Sequence, residues 1–219
     1  MEEIFQGVYR KGRSILTKNL SPGNTVYGER IFIIDGKEYR EWDPFRSKLC
    51  GAIMKGLKKM PIGKRSKVLY LGAATGTTPS HISDIASEGE VYAIEFSGIA
   101  MRKLIGVCEK RPNLIPIMAD ARKTSEYSDV GQVDVIYQDV AQRDQVEILA
   151  KNAKAFLKKG GYAMLALKTK SINTAKGARE IAKEEEAKMA GLFRIEERID
   201  LEPYDKEHFF YVLKYAPSP

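Results

Sequence analysis

Short apolar runs alternate with helical stretches along the chain after residue 60. The runs occupy 68–71, 91–94, 114–118, 133–137 and 162–167. Before the last run, Val146, Leu149, Ala153 and Phe156 recur at the spacing of one helix face. Strands that are apolar throughout must be covered on both sides, as in a parallel sheet whose connecting helices pack on both faces. The pattern therefore predicts an α/β domain with a mostly parallel sheet.

The pattern changes near the end of the chain, where two strand-like runs follow each other without a helix between them. They span 193–201 and 208–215. Parallel neighbours need a long crossover, whereas antiparallel neighbours need only a tight connection, so one strand here should be antiparallel. Together with the earlier runs, these two predict a seven-stranded sheet with one antiparallel strand.

The first fifty residues lack this alternation and contain short strand-like runs separated by turns. Strands are predicted at 8–10 and 14–17, with a turn at 21–24. Residues 30–34 and 37–42 flank Asp35-Gly36, a pair that suits the primed turn of a β-hairpin. We therefore divide the chain into a small N-terminal β module, 1–50, and a larger α/β domain, 51–219.

Composition narrows the possible functions. Of the 219 residues, 43% are hydrophobic and 30% charged, as in a globular protein with a sizeable core. No apolar run reaches the roughly 18 residues of a membrane span, and the acidic first residues differ from a signal peptide. The chain has two cysteines and two histidines, Cys50, Cys108, His81 and His208. We therefore expect free thiols, no metal centre, no membrane association and a cytoplasmic location.

The basic residues are unevenly distributed. The formal net charge is +7, which by itself is compatible with ordinary solubility. Residues 51–67 hold five Lys and one Arg without an acid, and residues 148–179 hold seven Lys and one Arg without an acid. Two such stretches flanking a candidate active site favour a polyanionic substrate such as nucleic acid.

A glycine-containing loop follows the first apolar strand, in the segment VLYLGAATGTT (68–78). Gly72 and Gly76 allow a tight turn, and the helix that follows would present its N-terminal amides to a ligand. Glycines in this position also serve purely structural purposes. Glu95 ends the next strand, 23 residues after Gly72, where a carboxylate can accept both ribose hydroxyls of an adenosine ligand. Phe96 could pack on the adenine, and Asp120, after the third strand, could reach the adenine amino group.

The loop sequence bears on which adenosine ligand is bound. A dinucleotide site usually reads G-x-G-x-x-G, but here the loop reads G-A-A-T-G-T-T. S-adenosylmethionine has no phosphate, so a loop with fewer glycines is adequate for it. The segment FLKKGG (156–161), interpreted as a helix end and a glycine turn before a strand, is also common in methyltransferases. We therefore favour S-adenosylmethionine over NAD, which Glu95 alone would permit.

Two further polar residues stand at strand ends. Asp139 follows the fourth strand in VDVIYQDVAQ (133–142), and Lys168 ends the fifth in YAMLALKTK (162–170). A lysine at the end of a buried strand is costly unless it has a partner. We interpret Asp139 as a residue that positions an amine beside the methyl donor. A structural ion pair between Lys168 and Asp139 is the alternative.

Several longer motifs are spread from Trp42 to Phe209 and cover nearly all of the α/β domain: WDPFRSKL, YLGAATGTTPSH, YAIEF, DVAQ, FLKKGGYAMLALK and LEPYDKEHF. Together they resemble the fibrillarin family in its archaeal form. WDPFRSKL and LGAATGTTPSH are the most distinctive. The resemblance implies a Rossmann-like class I methyltransferase fold. The Gly/Arg-rich tail of the eukaryotic members is absent from this sequence.

The resemblance also implies functional residues. Lys48, Asp139, Lys168 and His208 match the catalytic set of ribose 2′-O-methyltransferases, although His208 could equally be a structural hydrogen-bonding residue. Lys168 would take the 2′-hydroxyl proton or guide it away, with Asp139 orienting it. The residues expected to line the cofactor site are Gly72, Ala73, Gly76, Thr77, Thr78, Glu95, Phe96, Asp120, Ala121, Asp139, Val140, Ala141 and Gln142.

The sequence departs from the family pattern in four places. Tyr70 stands where class I methyltransferases usually have an acid, although a residue other than an acid suits fibrillarins. Cys50-Gly51 replaces small alanines, and Arg143 stands where proline is common. Thr169-Lys170 replaces Ala-Arg after the catalytic lysine. Lys170 keeps the charge but loses the bidentate phosphate fork of arginine.

The resemblance implies a complete activity with partners. We expect methyl transfer from S-adenosylmethionine to ribose 2′-hydroxyls of rRNA, and possibly of tRNA, within a box C/D ribonucleoprotein. The expected partners are a guide RNA, a Nop-domain scaffold protein and a kink-turn-binding protein, because no RNA-reading motif is visible in the chain. The alternatives are an NAD-linked oxidoreductase, a non-catalytic RNA-binding scaffold, and a methyltransferase for small molecules or proteins.

Overall fold

A five-stranded antiparallel sheet forms the N-terminal part of the computed structural model, which describes residues 1–217. Its strands, in the spatial order β1-β2-β3-β5-β4, are β1 (Glu2–Phe5), β2 (Val8–Lys11), β3 (Ser14–Lys18), β4 (Ile31–Ile34) and β5 (Lys37–Trp42). The predicted hairpin is confirmed: Asp35 and Gly36 both have positive φ, at 50° and 70°, as a primed turn requires. Strand β1 was not predicted.

The larger sheet has seven strands in the order β11-β12-β10-β9-β6-β7-β8. They are β6 (Lys67–Leu71), β7 (Glu90–Glu95), β8 (Leu114–Met118), β9 (Val133–Gln138), β10 (Leu157–Lys168), β11 (Phe193–Asp200) and β12 (His208–Tyr215). All pairs from β8 to β10 are parallel, and β12 is antiparallel to both of its neighbours. The predicted mostly parallel sheet with one antiparallel strand is confirmed. The antiparallel strand lies between β10 and β11, one place in from the edge.

Within the described residues, six α-helices and one 3₁₀ helix connect the strands. They are α1 (Lys48–Met54), α2 (Thr77–Ile85), α3 (Gly98–Cys108), the 3₁₀ helix Thr124–Val130, α4 (Gln145–Phe156), α5 (Thr169–Ile172) and α6 (Ala178–Met189). The predicted turn in FLKKGG is wrong, because β10 begins directly after α4 ends. Gly160 and Gly161 lie inside β10, where its register against β9 shifts between Leu157 and Tyr162.

The two sheets share one apolar core, and α2 lies between them. Val8, Ile15 and Trp42 of the small sheet belong to the same buried cluster as Val68 and Ile82 of the large domain. The predicted division at residue 50 falls inside α1 and stays a prediction. Residues 218 and 219 of the predicted 51–219 domain lie outside the described residues.

A buried ionic cluster fastens α2 to the small sheet. Arg40 of β5 is fully buried and pairs with Glu29 and, at 2.8 Å, with Asp84 of α2. Asp84 also pairs with Arg111, so both of its carboxylate oxygens are bound by guanidinium groups. Removing one member would leave another charge buried and unpaired, so this cluster holds the C-terminal end of α2 against the small sheet.

The contacts of His81, on the same helix, indicate that this residue has a structural role. Its ring stacks on Trp42 at 4.8 Å, and its two nitrogens lie 2.7 and 2.8 Å from the hydroxyls of Thr17 and Tyr27. In residues 1–217 we find neither a helix with the length and apolarity needed to cross a membrane nor a cluster of three His, Cys, Asp or Glu suited to a metal ion.

Candidate functional site

The carboxyl ends of β6, β7 and β9 form a crevice where the chain passes very close to itself. Gly72 follows β6 with φ of +83°, and a Cβ placed on it would lie 2.4 Å from the carbonyl oxygen of Asp139. Only glycine avoids both the clash and the strain of a left-handed backbone. This close approach brings the loop after β6 against the loop after β9.

The loop between β6 and α2 is held by Glu95. Three of its residues, Gly72, Ala74 and Gly76, have positive φ, and for Ala74 that conformation is strained. The buried carboxylate of Glu95 accepts hydrogen bonds from the amides of Ala74 at 2.8 Å and Ser97 at 2.7 Å. Each carboxylate oxygen keeps further lone pairs, so Glu95 can still accept hydrogen bonds from two hydroxyl groups of a ligand.

A cavity of about 320 Å³ opens beside this loop, a volume within the range of small-molecule sites. Most of the predicted cofactor residues line it, namely Gly72, Glu95, Phe96, Asp120, Ala121, Asp139, Val140, Ala141 and Gln142. The sequence reasoning missed three apolar lining residues, Ile94, Ala119 and Ile148. Their apolarity is the same signal that marks the core, so nothing in the sequence set them apart.

The remaining predicted cofactor residues do not line the cavity. Ala73 is buried, and Gly76 and Thr77 form the start of α2. The hydroxyl of Thr78 donates to Ser47 at 2.9 Å. Since Ser47 caps the first turn of α1, this bond joins the starts of two helices that lie far apart in sequence.

Lys48, the first residue of α1, reaches the crevice. Its ammonium nitrogen donates to a carboxylate oxygen of Asp139 at 2.9 Å. Burial lowers the pKa of Lys48, but the carboxylates of Asp139 and Asp205 raise it more, so the net pKa lies above its ordinary value. Lys48 is therefore a stable cation. Asp139 pairs with Lys48 and, within residues 1–217, forms no ion pair or hydrogen bond with Lys168, so the alternative of a structural Lys168–Asp139 ion pair is wrong. That Asp139 orients Lys168 during the reaction stays a prediction.

Lys168 ends β10 beside this pair and is positioned through its main chain. Its amide donates to the side chain of Gln145 at 2.9 Å, and its carbonyl accepts from the same side chain at 3.0 Å. Gln145 is itself fully buried and bonded to Gln138 at 2.7 Å. Within residues 1–217, the half-buried ammonium group of Lys168 forms no ion pair or hydrogen bond. No distinctive sequence pattern marks the two glutamines.

His208 lies directly opposite Lys168 in the register of β12 against β10. It is 7% exposed, and its Nδ1 is 2.8 Å from both a carboxylate oxygen of Asp205 and the carbonyl oxygen of Lys206. The other carboxylate oxygen of Asp205 is 3.6 Å from the ammonium nitrogen of Lys48. The sequence reasoning missed Asp205, although it lies in the motif LEPYDKEHF. The structure thus brings all four predicted catalytic residues to one end of the sheet.

The basic stretches are less concentrated at this end than we expected. Lys64 and Arg65 precede β6 and pair with Glu88. They therefore lie at the amino-terminal ends of the parallel strands, opposite the crevice. Lys158 pairs with Asp134 at the same end of the sheet. Basic residues that follow β10, such as Lys170, are on the crevice side, and Lys170 pairs with Glu207 at 2.7 Å. The linear charge pattern therefore overstated the positive surface around the site.

Three of the residues that depart from the family pattern, Tyr70, Cys50 and Gly51, fit their surroundings. A Cβ on Gly51 would lie 3.3 Å from Cβ of Tyr204 and 3.4 Å from the carbonyl oxygen of Pro44, so a small residue is needed there. Cys50 is buried, and its thiol donates to the carbonyl oxygen of Trp42. Tyr70 is stacked on Tyr137 with ring centroids 4.5 Å apart, which explains an aromatic residue in place of an acid.

Comparison with known proteins gives a consistent picture. The Fibrillarin family model matches residues 1–217. The chain is 51% identical to a fibrillarin-like rRNA/tRNA 2′-O-methyltransferase of Methanocaldococcus jannaschii, over 97% of this chain and 95% of that protein. It is 52% identical to the protein of that name in Sulfolobus acidocaldarius, over 98% and 94% of the two chains.

Solved structures of similar proteins superpose closely on this fold. A Methanococcus jannaschii fibrillarin pre-rRNA processing protein matches with a TM-score of 0.95 at 50% identity, over 99% and 97% of the two chains. Aeropyrum pernix fibrillarin with natively bound S-adenosyl-L-methionine matches at 0.86 and 41% identity, over 94% and 97%. A fibrillarin/Nop5p complex matches at 0.90 and 41% identity, over 96% and 98%.

Proposed function

The chain belongs to the fibrillarin family, and we propose that it is an S-adenosylmethionine-dependent methyltransferase that modifies ribose 2′-hydroxyls of rRNA and tRNA. The observation that carries the proposal is the Lys48–Asp139 pair at the mouth of a crevice whose wall holds Glu95. Relatives that are about half identical over nearly the whole chain bear the name of this activity.

The crevice residues suit an adenosine ligand without phosphates. The free lone pairs of Glu95 would accept hydrogen bonds from the ribose hydroxyls, and Asp120 would accept one from the adenine amino group. Phe96 lines the same cavity with an exposed ring that would pack on the adenine. Gly72 has no side chain, so it can lie against the backbone of Asp139 in the wall of this cavity. When bound, S-adenosylmethionine supplies a methyl group activated by a sulfonium centre.

The polar residues at the mouth of the crevice would orient the acceptor. Alignment of the acceptor oxygen with the methyl carbon can supply about 7–11 kcal/mol of the barrier reduction. Lys48, a cation held by Asp139, would donate a hydrogen bond to the ribose oxygen and stabilise the negative charge that develops on it. Lys168, without a competing partner in residues 1–217, would take the 2′-hydroxyl proton or guide it away.

Target selection would depend on partners. We propose a box C/D guide RNA, a Nop-domain scaffold and a kink-turn-binding protein, because the chain has no recognisable RNA-reading motif. A relative that is 41% identical was crystallised as a complex with Nop5p. In this arrangement the guide RNA selects the nucleotide and this chain supplies the chemistry.

Transfer of a tritiated methyl group to a target RNA tests the proposal. We expect incorporation only in the assembly that contains the scaffold, the kink-turn-binding protein and a matching guide, with the label at the ribose 2′-oxygen. A scrambled guide is the control and should give background incorporation. Label on a base, equal incorporation into naked RNA, or calorimetric binding of NAD in place of S-adenosylmethionine would each contradict the proposal.

A further inference from the structure

Asp205 lies between two residues of the proposed catalytic set, Lys48 and His208, that are far apart along the chain. One carboxylate oxygen lies 2.8 Å from Nδ1 of His208, and the other lies 3.6 Å from the ammonium nitrogen of Lys48. Its own backbone is fixed, because the amides of Tyr204 and Asp205 both donate to the carbonyl oxygen of Leu201. The carboxylate therefore connects α1 to the turn before β12.

The contacts of His208 determine which ring nitrogen carries hydrogen. Nδ1 faces two acceptors, the carboxylate of Asp205 and the carbonyl of Lys206, each at 2.8 Å. An unprotonated Nδ1 would place its lone pair against lone pairs of both acceptor oxygens, so Nδ1 must carry the hydrogen. Nε2 is buried and has no hydrogen-bond partner in residues 1–217. The ring orientation thus rests on the Nδ1 side alone.

The same carboxylate restricts Lys48. With Asp139 as its sole partner, a lysine ammonium could rotate about its long side chain and keep one hydrogen bond. The carboxylate of Asp205, 3.6 Å from the ammonium nitrogen, adds a second electrostatic attraction that favours the arrangement in which the ammonium lies near both carboxylates. Burial raises the pKa of Asp205, but His208, Lys48 and Lys168 lower it more, so the carboxyl group stays ionised.

We propose that Asp205 is a positioning residue for the methyl-transfer reaction, one that holds Lys48 at the crevice mouth and, together with the carbonyl oxygen of Lys206, keeps Nδ1 of His208 protonated and facing the turn. It acts through these two residues and does not touch the acceptor. This inference rests on the proposed function for its rate effect, whereas the state of His208 can be measured independently of any activity.

The test compares Asp205→Asn and Asp205→Glu with the wild-type chain in the reconstituted complex. The control is Glu202→Gln, which removes one charge from an exposed side chain of the same turn. For Asp205→Asn we expect the single-turnover rate to fall by at least about 10-fold while S-adenosylmethionine affinity stays within about twofold. Asp205→Glu should recover part of the rate, and Glu202→Gln should match wild type.

Nitrogen-15 NMR of the imidazole groups supplies the readout that does not depend on activity. The chain has two histidines, so the His81→Gln variant identifies the signals of His208. We expect Nδ1–H in both proteins, because the carbonyl oxygen of Lys206 still accepts from it in Asp205→Asn, and a shifted Nδ1 resonance in the variant, since the carboxylate no longer lies beside the nitrogen. An unchanged His208 spectrum together with a wild-type rate would overturn the proposal, as would a rate loss matched by an equal loss of cofactor affinity. If wild type makes no 2′-O-methylated product but the spectrum changes as expected, the proposed function fails and the positioning of His208 stands.

Discussion

The ammonium nitrogen of Lys48 lies 2.9 Å from a carboxylate oxygen of Asp139, although 91 residues separate the two along the chain. Lys48 is the first residue of α1, the helix that follows the small sheet and precedes the larger sheet along the chain. Asp139 follows β9, the central strand of the larger sheet. Their side chains are 17% and 21% exposed, so the pair is largely shielded from water. A charge pair in that position can orient a substrate and at the same time hold α1 against the sheet.

Breaking this pair should damage both activity and stability. We expect Lys48→Met and Asp139→Asn to reduce methyl transfer by roughly 100-fold or more, because each removes a fixed charge at the reacting atoms. Each should also lower the free energy of unfolding by about 1–3 kcal/mol, since the remaining group loses its partner. Urea unfolding of the double variant checks this: its loss should be smaller than the sum of the two single losses. Strict additivity would show that the pair has no coupling.

Lys168 should be needed for the chemical step and dispensable for cofactor binding. We expect Lys168→Met and Lys168→Arg to slow single-turnover methylation by roughly 10²–10⁴-fold, because neither side chain can take up the proton. Calorimetry with S-adenosylmethionine should give unchanged affinity. Lys170→Met is the matched control, since Lys170 is an exposed neighbour paired with Glu207. Near-normal rates in both Lys168 variants would remove its assigned role.

Glu95 should determine cofactor affinity through the loop it holds. Glu95→Gln replaces one acceptor oxygen with an amide that would face a backbone N–H, either that of Ala74 or that of Ser97. We expect S-adenosylmethionine to bind at least about 10-fold more weakly, equivalent to about 1.4 kcal/mol. Glu90→Gln, at the exposed opposite end of β7, is the control. Equal affinities of the two variants would show that Glu95 is not part of the binding site.

Alanine at Gly72 should be much more damaging than alanine at another glycine of positive φ. Gly36 has φ of +70° and open space where a Cβ would lie, so Gly36→Ala carries backbone strain alone, about 1 kcal/mol. Gly72→Ala adds a contact at 2.4 Å with the backbone of Asp139. We expect a larger loss in urea unfolding and weaker S-adenosylmethionine binding for Gly72→Ala only. Similar unfolding midpoints for the two variants would mean that the close approach costs nothing.

Stability should fall as the pH drops below about 6.5 because of His81. Burial, and then the charges of Arg40 and Arg111, hold the pKa of His81 well below its ordinary value of 6.5. The unfolded chain therefore binds a proton that the folded chain excludes, so stability is complete above pH 6.5 and decreases below it. The limiting slope for one proton is about 1.4 kcal/mol per pH unit.

Urea unfolding of the wild-type chain and His81→Gln between pH 5 and pH 7.5 measures this slope. Glutamine can still hydrogen-bond to the hydroxyls around position 81 and does not titrate, so the variant should show the shallower dependence. Parallel curves for the two proteins would mean that the pH dependence has another origin.

Local sequence patterns were sufficient for much of the fold. Each of the five apolar runs after residue 60 is a strand of the larger sheet. A run that is apolar throughout is typical of a strand buried on both faces of a parallel sheet. Strand β1 was missed because its residues, EEIF, are half acidic and exposed. Its pairing with β2 depends on a tight turn through Gly7 and not on an alternating pattern.

Buried charges were the weakest part of the sequence-based prediction. Arg40, Asp84 and Arg111 look like ordinary surface residues in the sequence, because charged side chains are seldom buried. They are buried here because each guanidinium group finds a carboxylate from a distant segment. The same reason hid Asp205, whose two partners, Lys48 and His208, meet it after folding.

Local sequence information was sufficient for most of the strands, for their mostly parallel order and for the identity of the polar residues at the strand ends, because these follow from periodicity and from motifs a few residues long. Which amine meets which carboxylate was set by the tertiary structure. It paired Asp139 with Lys48, left Lys168 without a partner in residues 1–217, and placed Asp205 between Lys48 and His208. Ion pairing depends on distances of a few ångströms between remote segments, and those distances are set by how helices and sheets pack.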